Sequence, residues 1–206
     1  MTGKPTAWRV QRATGNFNWS GSIAIQERIR LDRSVEEFFL LTDGSVNTQT
    51  NTGYGAYLTL TKDECSLPVV ALKTRIKVQK FEQTSSTKLE LQTLLWALSE
   101  LPDDINQLTV YTDSQNIVNL AGRRERFEAH DYHSKKGLPL RNAELYQAYF
   151  EVTDRLQFKL VKVKGHKSAR KRNQIDQLFA LVDKASRKAR RARKQELCDT
   201  GEIHFP

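Results

Sequence analysis

The stretch Phe38–Leu60, FFLLTDGSVNTQTNTGYGAYLTL, sets two apolar runs on either side of a polar one, and a carboxylate, Asp43, closes the first run. Phe38–Leu41 reads as a buried strand and Tyr54–Leu60 as a second. An ionised aspartate at the end of a core strand is costly unless a cation or hydrogen-bond donors meet it. Asp-Gly before polar residues also has an ordinary reading, as the start of a hairpin turn. The rest of the chain decides between the two.

Downstream, Leu72, Thr74, Ile76 and Val78 alternate with Lys73, Arg75, Lys77 and Gln79, a period of two that predicts a third strand over Val69–Lys80. Leu91, Leu94, Leu95, Leu98 and Leu101 recur at helical spacing and stop at Pro102. LTVYTD, Leu108–Asp113, is a short buried strand, with a helix expected from Ser114. The basic segment 122–140, GRRERFEAHDYHSKKGLPL, reads as a protrusion. Asn142–Arg155 reads as a helix, Leu156–Lys164 as a strand, and Asn173 to about Lys194 as a long, increasingly basic helix. Three strands followed by alternating helices and strands predict an α/β fold, a mixed sheet covered by helices. A crossover helix before LTVYTD makes that strand parallel to its neighbour in the sheet. Residues 1–36 form an extension of unassigned role, in which Trp8, Phe17 and Trp19 are the candidate anchors.

Composition narrows the partners. A chain of 206 residues fits one domain with extensions, or at most two small ones, and with 38% hydrophobic residues it can build a sizeable core. A formal net charge of +9 and a sequence pI of about 9.6 favour a polyanion, nucleic acid first and an anionic membrane surface second. No apolar run approaches a membrane span, and the first residues carry no signal-peptide core. Cys65 and Cys198 lie far apart and form no metal-ligand spacing, which fits a reducing, cytoplasmic setting. Oligomeric state is left open, with a monomer as the default.

Two strands end alike, LLTDGS at Asp43 and VYTDSQ at Asp113. Where parallel strands lie side by side, ligands gather beyond their carboxyl ends, and two acids there need a cation or a shared proton. A third acid, Glu90, opens the helix before the second of these strands; a fourth, Asp176, opens the last helix, ten residues after His166. Each has an ordinary structural role open to it: Thr87 and Glu90 fit a capping box, Asp113 and Asp176 suit helix N-termini, and His166 lies between two lysines as a solvated loop residue would. Four acids at the ends of four consecutive core elements exceed what those roles explain. All-oxygen donors without cysteine point to magnesium or manganese rather than zinc.

TDGS then GYGA, the helix ELQTLLWAL, TDSQ, and KGH followed ten residues later by an aspartate resemble the type 1 ribonuclease H family over residues 37–185. The resemblance implies a ribonuclease H-like five-stranded mixed sheet flanked by helices on both faces. It also implies an endonuclease that cuts the RNA strand of RNA–DNA hybrids with two Mg2+ ions, or Mn2+ in their place, leaving 5′-phosphate and 3′-hydroxyl ends. Asp43, Glu90, Asp113 and Asp176 then correspond to the metal ligands, Asp43 shared by both ions, and His166 to the histidine of proton transfer or product departure. Gln115 falls at the position that contacts the minor groove, and Arg123, Arg124, Lys135 and Lys136 on the basic protrusion that grips the hybrid. The sequence departs from the family in its loop after Asp43, in SSTKLE, and in the spacing of Asn173 from Asp176; these bear on substrate contacts more than on chemistry. Outside the resemblance stand residues 1–36 and a basic tail, 186–206. KASRKARRARK, Lys184–Lys194, which runs into that tail, carries seven basic residues in eleven. Two other readings remain open: a different nuclease or resolvase on the same scaffold, and a nucleic-acid binder that holds no metal.

Overall fold

The computed structural model of the chain describes residues 36–102, 105–164 and 173–199, with backbone alone at 193–194 and 196–199. Its centre is β1 (Glu37–Asn47), which turns through residues 48–51 into the antiparallel β2 (Thr52–Thr61). Asp43 lies inside the ladder, paired with Ala56, so it does not cap the hairpin turn, which begins beyond Asn47. Asn51, with φ 51°, provides the left-handed residue of that turn.

A short strand β3 (Lys77–Phe81) pairs with β2, and β4 (Gln107–Thr112) runs parallel to β1 with β5 (Phe158–Lys162) parallel beyond it. The sheet order is β3-β2-β1-β4-β5. Leu40 and Leu41 are adjacent on β1 and both fully buried, because opposite faces of the sheet are each covered. That double cover explains why the first run is apolar without alternation.

Residues 69–80 do not form one strand. Val69–Arg75 is a helix, α1, entered from Pro68, and only Lys77–Phe81 is extended. Leu72 and Ile76, four apart, pack on the same core cluster, while Thr74, the intervening member of the alternation, is exposed. The operative spacing there is four, not two.

On one face lie α2 (Ser86–Ser99), the single-turn α3 (Gln115–Val118), α4 (Arg124–Ala129) and α5 (Ala143–Arg155), which with Leu40, Leu108 and Val110 bury Leu91, Leu94, Leu98, Ile117, Phe127, Tyr149 and Phe150. On the other lies α6 (Gln174–Asp199), whose Leu178, Phe179 and Val182 meet Leu41, Ala56, Leu58 and Leu60. The expected mixed sheet with helices on both faces is what the chain forms. No helix of the described residues is long and apolar enough to cross a membrane.

The glycines of TDGS and GYGA have a shared purpose. A Cβ on Gly55 would stand 2.1 Å from Thr93 Oγ1, one on Gly53 2.5 Å from Leu89 Cδ2, and one on Gly44 2.9 Å from Leu89 Cγ. Bare backbone on β1 and β2 lets α2 approach closely, and α2 carries Glu90. Its N-cap is Ser85, whose hydroxyl accepts from the Lys88 N–H, rather than Thr87. Glu90 is thereby the fifth residue of the helix and is released from capping.

Candidate active site

Leu41 pairs with Tyr111 in the parallel ladder, and Asp43 and Asp113 each stand two residues beyond that pair. They emerge together at the carboxyl edge of β1 and β4. Asp43 shares a sheet face with Leu41 and Ala56, so it points towards α6. There the fully buried Ser186 donates its hydroxyl to Asp43 Oδ2 at 2.5 Å. Burial lifts the Asp43 carboxyl from 3.8 to about 7; the Ser186 bond opposes that lift, the Asp183 and Asp113 charges add to it, and Arg187 opposes it.

Glu90 is held from the other side of the edge. Ser114, the N-cap of α3, accepts the Ile117 N–H and donates to Glu90 Oε2, which ties the end of β4 to α2. Burial raises the Glu90 carboxyl above its ordinary range, with the charge of Asp113 adding to the rise. Asp113 itself is exposed, and its charge reaches both Asp43 and Glu90. The edge thus grades from a largely buried acid to a solvent-facing one.

The acid of α6 whose charge adds to the rise at Asp43 is Asp183. Asp176 closes the N-terminus of α6 in a reciprocal cap: its Oδ2 accepts the Asn173 N–H at 3.0 Å, and its own N–H donates to Asn173 Oδ1 at 2.8 Å. Seven residues at 1.5 Å rise set Asp183 about 10 Å further along the helix. Asp183 pairs with Arg187, one turn on, at 2.6 Å. The sequence holds a trace of this. The stripe Leu178, Phe179, Val182 that faces the sheet continues at fours into Asp183 and Ser186, so polar residues enter a buried face where Asp43 emerges.

Among the described residues no three His, Cys, Asp or Glu side chains converge closely enough to hold one ion. Glu90 bonds Ser114 and Asp183 pairs with Arg187. The donor set is nevertheless all carboxylate oxygen, the kind that suits a hard divalent cation, and Asp43, raised first by burial and then by the charges of Asp183 and Asp113, is where such an ion would offset both.

The remaining expected residues divide. Gln115 stands at the first turn of α3 beside Asp113, donates to Asn119 Oδ1 at 2.8 Å and accepts from Lys162 of β5. Lys162, which belongs to no motif in the sequence, brings a cation to the same edge. Lys135 and Lys136 are exposed at the turn of the protrusion, whose base is closed by a bridge between His133 and Pro139. Arg123 donates to Asn116 Oδ1 at 2.9 Å. Arg124 is otherwise engaged: it binds both oxygens of Asp154, reaches Glu128 at 2.7 Å and lies over the Phe150 ring, an anchor between α4 and α5 rather than an open phosphate contact. His166 lies outside the described residues.

Comparison with known proteins bears on the family and the fold. The sequence model of the RNase H family matches residues 35–185. A ribonuclease H of Clostridium botulinum is 28% identical over 149 residues, 70% of this chain and 93% of the relative. One from Chlorobium phaeovibrioides is 30% identical over 101 residues, 48% and 68% of the two chains. One from Caldicellulosiruptor saccharolyticus is 24% identical over 155 residues, 74% of this chain and all of the relative. Among solved structures, a foamy viral protease-reverse transcriptase in complex with dsDNA superposes with a TM-score of 0.52 at 8% identity, covering 74% of this chain and 94% of that one, a likeness of fold alone. The matching family and relatives define a nuclease of the α/β class. The chain belongs to the ribonuclease H family.

Proposed function

We propose that the chain is an endonuclease that hydrolyses the RNA strand of RNA–DNA hybrids and leaves 5′-phosphate and 3′-hydroxyl ends. The observation that carries this reading is the Asp43 carboxyl, half-buried at the edge of a parallel strand pair with Asp113 and Asp183 acting on it. Carboxylates of this kind would hold divalent ions, Mg2+ or Mn2+, which when bound would supply an activated water and stabilisation of the leaving oxygen.

The chain's own residues set the rest. Asp43 is the central ligand, Glu90 and Asp113 the ligands of the opposite side, and Asp183 replaces Asp176 as the ligand from α6. Ser114 holds Glu90 and Arg187 holds Asp183 beside this edge, the positions from which both would reach an ion. His166, in KGH, is assigned to proton transfer. Gln115 and Lys162 face the nucleic acid beside Asp113, and RNA is chosen through 2′-hydroxyl contacts in the wide minor groove, so little sequence preference is expected. Lys135, Lys136 and Arg123 meet the backbone phosphates; Arg124 ties α4 to α5 through Asp154.

Cleavage of end-labelled RNA–DNA hybrid, RNA duplex and DNA duplex with Mg2+ tests the reading. Cutting of the hybrid's RNA strand alone supports it. Equal cutting of a DNA duplex favours another nuclease on this scaffold, and binding without cutting favours a metal-free binder.

A further inference from the structure

We propose that Ser186 is a positioning residue for the metal site, one that fixes the carboxylate of Asp43 for an incoming ion; this rests on the reading of Asp43 as a metal ligand. Ser186 is 0% exposed and sits on the stripe that α6 turns to the sheet, where Leu178 and Val182 precede it. Serine is a poorer helix former than alanine, and a buried hydroxyl is costly unless bonded. Packing alone would favour alanine at this position. What the serine adds is a bond across the interface between β1 and α6.

Its Oγ lies 2.5 Å from Asp43 Oδ2 and 3.0 Å from the Asp183 carbonyl oxygen. A hydroxyl has one proton to give. The shorter contact falls in the range of a charge-assisted bond to a carboxylate, so the proton goes to Asp43. Among the described residues Oδ1 of Asp43 accepts no hydrogen bond. One oxygen is therefore engaged by the helix while its partner is left to the acid cluster. Because Ser186 follows Asp183 by three residues, the same bond also sets the height of Asp183 against the end of β1. A single hydroxyl thus holds the two carboxylates of this side in register.

Outer partners of this kind typically govern metal affinity by about 10- to 100-fold when removed. The test uses the full chain, with Mn2+ as the probe, in wild type, Ser186→Ala and Asp43→Asn. Calorimetric titration reads affinity, thermal melting without metal reads the fold, and the Mn2+ dependence of hybrid cleavage separates half-activating concentration from turnover. Ser186→Ala is expected to melt close to wild type, to bind Mn2+ about 10- to 100-fold more weakly, and to recover turnover within a few-fold once Mn2+ saturates. A purely structural serine would shift melting and leave Mn2+ affinity unmoved. Wild-type affinity in Ser186→Ala, with binding abolished in Asp43→Asn, overturns the proposal and leaves the metal reading standing. Wild type that fails to bind Mn2+, or Asp43→Asn that binds it equally well, overturns the metal reading and this proposal with it.

Discussion

Replacing Asp43 by asparagine should stabilise the metal-free protein, and the gain should grow with pH. Burial, reinforced by Asp183 and Asp113, holds this carboxyl at about 7 against an ordinary 3.8. The unfolded chain therefore releases the proton roughly three pH units before the folded one does. A raised folded value means that the stability linked to the group is fully present below 3.8 and is lost as pH rises through 7. Each pH unit in that window removes about 1.4 kcal/mol, and the loss levels off near ~4 kcal/mol above it. Asparagine keeps the shape, accepts the Ser186 hydroxyl and carries no charge. Between about pH 5 and about pH 8 the wild type should lose roughly 3 kcal/mol that the variant retains. For a chain of this size that is a difference of roughly 6–12 °C in melting temperature. The assay is thermal unfolding of both proteins in chelator across that range, where groups common to both cancel in the difference. Saturating Mg2+ at the upper end should restore the wild type and not the variant. Parallel melting curves for the two proteins at every pH would refute the reasoning, because Asp43 would then be an ordinary solvated carboxylate.

Three further outcomes follow from the geometry. Asp183→Asn should abolish single-turnover cleavage of hybrid, whereas Asp176→Ala should keep it and cost about 1 kcal/mol through its missing cap; the reverse pattern in kinetics and melting would return the metal role to Asp176. Gly55→Ala places a methyl against Thr93, so it should destabilise by about 1–3 kcal/mol and reduce cleavage by displacing α2 and Glu90. Thr93→Ala in the same chain should recover part of both, as melting and activity will report. Lys135→Ala with Lys136→Ala should flatten the log–log salt dependence of hybrid binding by about 0.9 for each phosphate no longer neutralised, the B-form value serving as a guide. Arg124→Ala should instead lower the melting temperature and leave that slope unchanged, and an equal flattening would make Arg124 a phosphate ligand after all.

What could be read from the sequence followed from two strong signals. Apolar runs that end in an acid marked β1 and β4, and the crossover between them made the strands parallel, which set Asp43 beside Asp113. The leucine spacing of α2 placed Glu90 on a helix at the same edge. Where the sequence was harder to read, the reasons are equally physical. Over residues 69–80 a two-residue alternation and a four-residue repeat share Leu72 and Ile76, and only the position of Pro68 and the exposure of Thr74 separate them. Asp176 drew attention because it opens a helix after a histidine loop, yet an acid in that first turn is also what a capping box demands, and the Asn173 bonds show that use. Asp183 lies mid-helix among basic residues, where it resembles half of a solvated Asp–Arg pair; its relation to Asp43 depends on which face α6 turns to the sheet. Arg124 likewise has the look of surface charge in the sequence, where nothing brings its distant partner Asp154 beside it.

The most direct test is X-ray diffraction from crystals of the full chain grown with Mn2+, with the anomalous signal locating the ion. Mn2+ bound by Asp43, with Asp183 turned from Arg187 to join it and Asp113 or Glu90 on the opposite side, is the predicted result. Crystals in which Mn2+ binds elsewhere, or in which Asp176 holds the ion while Asp183 keeps its pair with Arg187, would contradict it.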